Sequence, residues 1–450
     1  MKNLLRIMIY LIVLVVVVGG TGAIGFMNTM NNGMSVYNKP IPTLTNAQAP
    51  NYDASKPTVA VLLANEVTEV FDFLVPYEMF AMTEAYNVYG VAPDREIKSL
   101  TGGLDVLPHY SFEELDEIVG NSPDIIVIPF MPILDDKRYA PVREWIRKHA
   151  NPNTILLTIC NGAENLADTG LLDGKSAATH WGDMNRLISK YPDVKWVNDQ
   201  RYVPQGNIVS SAGLTSGIDA TLYVISEQLG DTAAKKVAEN MKYPSYDYVA
   251  NPQMEPFHAR LSDITYVLNN AYQWKKVKAG VLLYNGADEL DLSAAFDTYG
   301  ASGTTNTITV SSKNEAIVTK HGLNLVARHQ IEDLPTLTKM IVVGANAESE
   351  AAADIEQWNN SGSHAKLMFL HRGMSDRFAM DPAFEDLAKQ EDVQTAKFAA
   401  KRLEYRATDQ LKLEGRPFSL EAFGVPFMLC ILSLLAAWLI DRRLFGRKKR

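Results

Sequence analysis

Cysteine is close to absent from this chain, which has 450 residues and only Cys160 and Cys430. A disulfide-framed fold is therefore excluded, and the long stretch between the apolar ends holds a single thiol. Basic excess is absent as well. With 43 Lys and Arg against 52 Asp and Glu the net charge is −9, which removes the electrostatic footing for nucleic-acid binding. No helix-turn-helix candidate stands between residues 28 and 421 either. Charge of either sign is missing from residues 7–27 and 423–440. At about 1.5 Å per residue, both runs are long enough to cross a bilayer as helices. Small residues from Gly19 to Gly25 make a cleaved signal peptide the competing reading of the first run. The second run has no such alternative.

The flanks of these runs set an orientation. Lys2 and Arg6 precede the first; Arg442, Arg443, Arg447, Lys448, Lys449 and Arg450 follow the second. Positive charge stays on the cytoplasmic side, so both termini are expected inside and residues 28–421 outside. The expectation is a cell-membrane protein with two spans. A lone thiol at Cys160 in an oxidising place calls for a reason, either chemistry or inert burial.

What the chain does contain is alternation. Its length exceeds one ordinary core and calls for two domains. Residues 28–57, rich in Asn, Pro, Thr and Ser, read as a linker. Strand signals at 59–64, 88–92 and 124–130 alternate with helical spacing at 71–85 and 139–149, which predicts a doubly wound parallel sheet with ligands at its carboxyl edge. The apolar run 155–159 then ends on Cys160-Asn161-Gly162-Ala163, and helical spacing resumes at once. That places Cys160 on a sharp strand-to-helix turn, a nucleophile elbow with sulfur in place of oxygen. Helices are expected at 181–190, at 217–229 capped by Thr215 or Ser216, and at 233–241. Residues 245–275 read as a connector with a helix at 260–274.

The chain then repeats itself. Val281, Leu282, Leu283, Glu289 and Leu290 echo Val61, Leu62, Leu63, Glu69 and Val70; Gly322, Leu323, Glu332 and Leu334 echo Gly103, Leu104, Glu113 and Leu115; Met340 to Val343 echoes Asp124 to Ile128, and Trp358 echoes Trp145. Three blocks in one order predict a duplicated domain. In this overlay His371 stands at Cys160, Gly373 at Gly162 and Thr298 at Glu78, so the second copy keeps the fold and loses the thiol with its carboxylate partner.

Ile159-Cys160-Asn161-Gly162-Ala163, Gly170-Leu171-Leu172-Asp173-Gly174, Thr179-His180-Trp181, Ser211-Ala212-Gly213 and Ser216-Gly217-Ile218-Asp219, with Asp72, Pro76, Glu78, Gly103, Pro108 and Tyr110, resemble the ThiJ/PfpI family of class I glutamine-amidotransferase-like proteins. The version at the amino end of AraC-type regulators is the most similar. The resemblance covers residues 57–244 and implies Cys160 as nucleophile, Glu78 as the carboxyl partner holding the thiolate, and His180 as proton shuttle. The Asn161 and Gly162 N–H groups are the expected oxyanion donors. Two positions depart from the family pattern: Asn161 replaces the histidine that protease-like members carry after the nucleophile, and Pro129-Phe130-Met131 replaces a Pro-Gly-Gly turn.

The resulting expectation is two tandem α/β domains, flavodoxin-like or Rossmann-like, the second degenerate, between two transmembrane helices. Its segments are a signal anchor (1–27), a linker (28–57), the Cys-elbow domain (58–244), a connector (245–275), the degenerate copy (276–411), a juxtamembrane piece (412–422), the second span (423–440) and a basic cytoplasmic tail (441–450). The pattern calls for no cofactor and no metal, and the partners expected are the membrane and a small molecule, with no nucleic acid. A homodimer and an intrachain pseudo-dimer both remain open. The leading expectation for function is a membrane-anchored, extracytoplasmic cysteine-dependent enzyme acting on a small carbonyl, amide or isonitrile-like substrate; the alternative is a non-catalytic ligand or redox sensor using the same pocket.

Overall fold

A computed structural model describes residues 2–445; Arg447, Lys448, Lys449 and Arg450 of the expected basic tail lie outside them. Helix α1 (Asn3–Gly33) is long and apolar enough to cross a membrane, and it runs past the expected boundary at residue 27. The extension is held by a neighbour: Thr29 Oγ1 donates to Asn270 O at 3.0 Å. The segment that follows is no free stalk. Tyr37 N donates to Ser99 Oγ at 2.8 Å, Gln48 N to Asn324 Oδ1 at 3.2 Å, and Arg328 Nη1 to Ser35 Oγ at 2.6 Å. Backbone N–H groups and the Ser35 hydroxyl of the segment that reads as a linker thus strap it to polar side chains of the folded units.

Short runs rich in Val, Ile and Leu with both faces covered form the first sheet, as parallel strands require. Its strands are β1 (Thr58–Leu62), β2 (Asn87–Ala92), β3 (Tyr110–Ser111), β4 (Ile125–Ile128), β5 (Ile155–Thr158), β6 (Tyr202–Gln205) and β7 (Ile208–Ser211), in the order β3-β2-β1-β4-β5-β7-β6. Only the β6–β7 hairpin is antiparallel. The central order is that of a flavodoxin-like sheet. Helices α2 (Val70–Met82), α3 (Gly162–Ala167), α4 (Leu214–Leu229) and α5 (Asp231–Asn240) position the site. From Val70 to Phe80 every residue of α2 is buried. A helix apolar on all sides must be covered on all sides, and α2 lies between its own sheet, α4 and the second half of the chain.

After a short helix α6 (Ile264–Tyr272), the second half builds its own sheet from β8 (Val277–Leu283), β9 (Thr305–Ser311), β10 (His329–Gln330), β11 (Lys339–Val342) and β12 (Lys366–Phe369). All its strands are parallel, in the order β10-β9-β8-β11-β12. Helix α7 (Glu289–Ser302) follows β8 and packs against α2; α8 (Met380–Gln390) and α9 (Val393–Arg402) close the unit. A five-stranded sheet joins the halves, with Asn324–Val326 of the second pairing antiparallel with Asp105–Leu107 of the first. The last helix, α10 (Leu420–Phe445), is the second one long and apolar enough to span a membrane. It packs along α1, and Arg6 Nε pairs with Asp441 Oδ1 at 2.8 Å.

Candidate active site

Cys160 stands in the turn, one residue before the Asn161 cap of α3, and its φ of 55° lies in the left-handed region that a non-glycine residue enters only at a cost. Its N–H donates to Ser211 Oγ on β7 at 3.2 Å. Two residues on, a side chain at Gly162 would run into the carbonyl of Ile128, so the tight turn requires glycine there. This is the elbow that the apolar run and the Cys-Asn-Gly triplet imply.

The thiol is not exposed. Cys160 is buried among residues of both halves, and burial, followed by the charges of Asp72 and Glu69, pushes its pKa well above the ordinary thiol value. Arg402 lies within range of the thiol, but the surrounding carboxyls and the loss of solvent outweigh it. The cover is the end of α9. Leu403 O accepts from Thr215 N at 3.1 Å; Glu404 O accepts from Thr215 Oγ1 at 2.8 Å and Arg201 Nη1 at 2.9 Å. Glu404 Oε2 accepts from Ser216 Oγ at 2.7 Å. A methyl group at Gly213 would strike the Glu404 carboxyl. Thr215 and Ser216 thus hold the cover instead of capping a helix at 217, and α4 starts earlier, with Gly213 at its cap.

His180 is on this edge but is not free to shuttle protons. Its Nε2 donates to Arg402 O at 2.9 Å, while Nδ1 accepts from Gly182 N at 3.2 Å. Burial lowers its pKa, and the ring stays neutral as a strut between the two halves.

Glu78 is not beside Cys160. It lies six residues beyond Asp72 on α2, which turns it about 240° around the helix and about 9 Å along it. Asp72 and Glu69 face the thiol. Glu78 faces the second unit, where its Oε2 accepts from Leu290 N at 2.5 Å. Asp72 is engaged as well, its Oδ2 accepting from Phe130 N at 3.1 Å, and burial followed by the Glu69 charge raises its pKa strongly. The oxyanion donors are also largely consumed. Gly162 N donates to Ile159 O at 2.8 Å and Met131 N to Asn165 Oδ1 at 3.0 Å. Asn161 N–H faces the Cys160 sulfur itself. Asp72 was legible among the family-like residues; Glu404 and Arg402 had no signal, being more than half the chain away.

An open cavity lies on the other sheet. Beyond the carboxyl ends of β8, β11 and β12 is a space of about 540 Å³ lined by Tyr284, Gly344 and His371, and by Glu78 and Lys242 from the first half. His371 is buried, with Nδ1 accepting from Gly344 N at 3.0 Å, Nε2 donating to Ala379 O at 3.0 Å, and Asp291 Oδ1 3.5 Å away.

A flavodoxin-like sheet with cysteine at a left-handed elbow defines a class, and comparison with known proteins defines it further. Residues 57–227 match the DJ-1/PfpI family and are a domain of that family. The chain is 28% identical over 198 residues to the isonitrile hydratase of Pseudomonas putida, covering 42% of this chain and 81% of that one. It is 33% identical over 96 residues to the HTH-type transcriptional regulator CdhR of Pseudomonas aeruginosa, covering 21% of this chain and 28% of the regulator. Among solved structures, a DJ-1 superfamily protein of Salmonella typhimurium is 24% identical, covers 42% of this chain and 99% of its own, and has a TM-score of 0.37.

Proposed function

We propose that this chain is a membrane-anchored, extracytoplasmic binding or sensing module, in which the DJ-1/PfpI domain (58–244) pairs with a degenerate second copy (276–411) as an intrachain pseudo-dimer. The observation that carries the non-catalytic reading is the closure of the Cys160 elbow by Arg402, Leu403 and Glu404. An attacking thiol needs a low pKa, access and a free proton acceptor. Here the thiol pKa is raised, and both nitrogens of His180 are occupied by backbone. Cys160 and His180 then serve the pairing of the halves, with Asn161 holding the turn.

The duplication is supported by the shared strand order and by reciprocity. Residues 402–404 cover the first elbow, while Asn240, Met241 and Lys242 line the cavity of the second. Lys242 and Glu404 have φ of 56° and 55° at the ends of α5 and α9. The two apolar helices and the charges flanking them support the membrane reading.

The test takes its substrate from the hydratase that the first domain resembles. The full chain in detergent is incubated with an aliphatic isonitrile, and the N-substituted formamide formed by addition of water is measured for wild type and Cys160→Ser. No Cys160-dependent product is expected. Formamide that disappears with the thiol would restore the enzyme reading. For the topology, protease added to intact cells should remove residues 28–421, and protection of that region would refute it.

A further inference from the structure

One corner beside the second sheet's cavity collects ligating groups from both halves: Glu78 and His321 line the space, and Glu289 is buried next to them. Glu78 comes from α2, Glu289 from the first turn of α7, and His321 from the loop after Ile317–Val318. One donor atom of each lies within 4.8 Å of the other two. Their conformations are already set. Glu289, fully buried, accepts from the Thr319 hydroxyl and from His321 N at 3.1 Å, and its Oε2 is 2.7 Å from His321 Nδ1. The Glu289 carboxylate held against the imidazole fixes the ring orientation before any ion arrives.

Glu78 supplies a second, separate observation. It is 1% exposed, its Oε2 accepts from Leu290 N, and its Oε1 is buried against the Asp288 carboxyl with no N–H or hydroxyl donor to satisfy it. A buried oxygen left unpaired costs free energy. Asp288 adjoins it and is paired with Lys320 Nζ at 2.7 Å. A cation at this corner would satisfy the orphaned oxygen and offset the crowding of carboxyls.

We propose that Glu78, Glu289 and His321 bind a divalent cation of the zinc type. Two carboxylates and one imidazole suit such an ion, and three protein donors leave a coordination position facing the cavity for water or a small anionic ligand. The site goes beyond the binding-module reading and stands independently of Cys160.

The experiment uses the untagged full chain in detergent micelles, stripped with chelator and titrated with zinc chloride by calorimetry, with thermal melting in parallel. Wild type should take up one equivalent and melt at a higher temperature when loaded. Glu78→Gln, which keeps an acceptor for Leu290 N, and His321→Gln should each weaken uptake by roughly tenfold or more, with the metal-free proteins melting near wild type. Cys160→Ser should bind as wild type does. No uptake by wild type, uptake unchanged in both variants, or uptake lost with Cys160 would each overturn the proposal.

Discussion

If residues 402–404 close the elbow, loosening them must expose Cys160 by a calculable amount. Ser216 Oγ donates to Glu404 Oε2 at 2.7 Å with both residues buried, and Glu404 Oε1 already lacks a partner. A hydrogen bond to a carboxylate contributes about 1.5–3 kcal/mol. Ser216→Ala removes it from the closed state only, so the open population should rise by about 10- to 100-fold at about 1.4 kcal/mol per decade. When reclosing outpaces labelling, the alkylation rate tracks that population. The assay is iodoacetamide labelling at pH 8 in a Cys430→Ser background, which leaves Cys160 as the only thiol. Wild type should label far more slowly than its own denatured chain, and Ser216→Ala faster by the stated factor, with unchanged circular dichroism. Wild-type labelling at the denatured rate would show that the elbow is open. Equal rates in the two proteins would show that the thiol is reached by another route.

Three further outcomes follow from the same geometry. In the Ser216→Ala protein, Asp72→Asn should move the pH profile of Cys160 alkylation to lower pH, because it removes a negative charge acting on the thiol, while Glu78→Gln should leave it in place; the reverse pattern would make Glu78 the partner. His109 accepts from Gly90 N at 3.1 Å and donates through Nε2 to Gly322 O at 2.9 Å, and burial pushes its pKa down to about 4. Against an unfolded value of about 6.5, its contribution is fully present above pH 6.5 and is lost as pH falls toward 4, on the order of 3 kcal/mol. Denaturation of wild type and His109→Gln at pH 7 and 5 checks this, and identical pH slopes would refute it. The buried pair of Arg201 and Asp219 should make Asp219→Asn cost about 3–5 kcal/mol, since it strands a buried guanidinium; a change under about 1 kcal/mol in thermal or urea denaturation would count against that pairing.

Much of the first domain was legible along the chain. Apolar runs of four or five residues read as covered strands, Cys160 two residues before Gly162 as a tight turn, and two uncharged runs stood out at the ends. Those features are local, because burial periodicity and turn sterics act over a few residues. Which acid faces the thiol was not local in that sense. Asp72 and Glu78 share one helix and one family-like motif, and only the helical phase against two different sheets sends them to opposite sites. The occlusion of Cys160 lay further out of reach. It depends on Ser216 meeting Glu404 and His180 meeting Arg402, and no pattern along the chain encodes a hydrogen bond between residues almost 200 positions or more apart. Composition and spacing therefore determined the elements and the elbow, whereas the packing of one half on the other decided that the elbow is sealed while a cavity stays open at the edge of the second sheet.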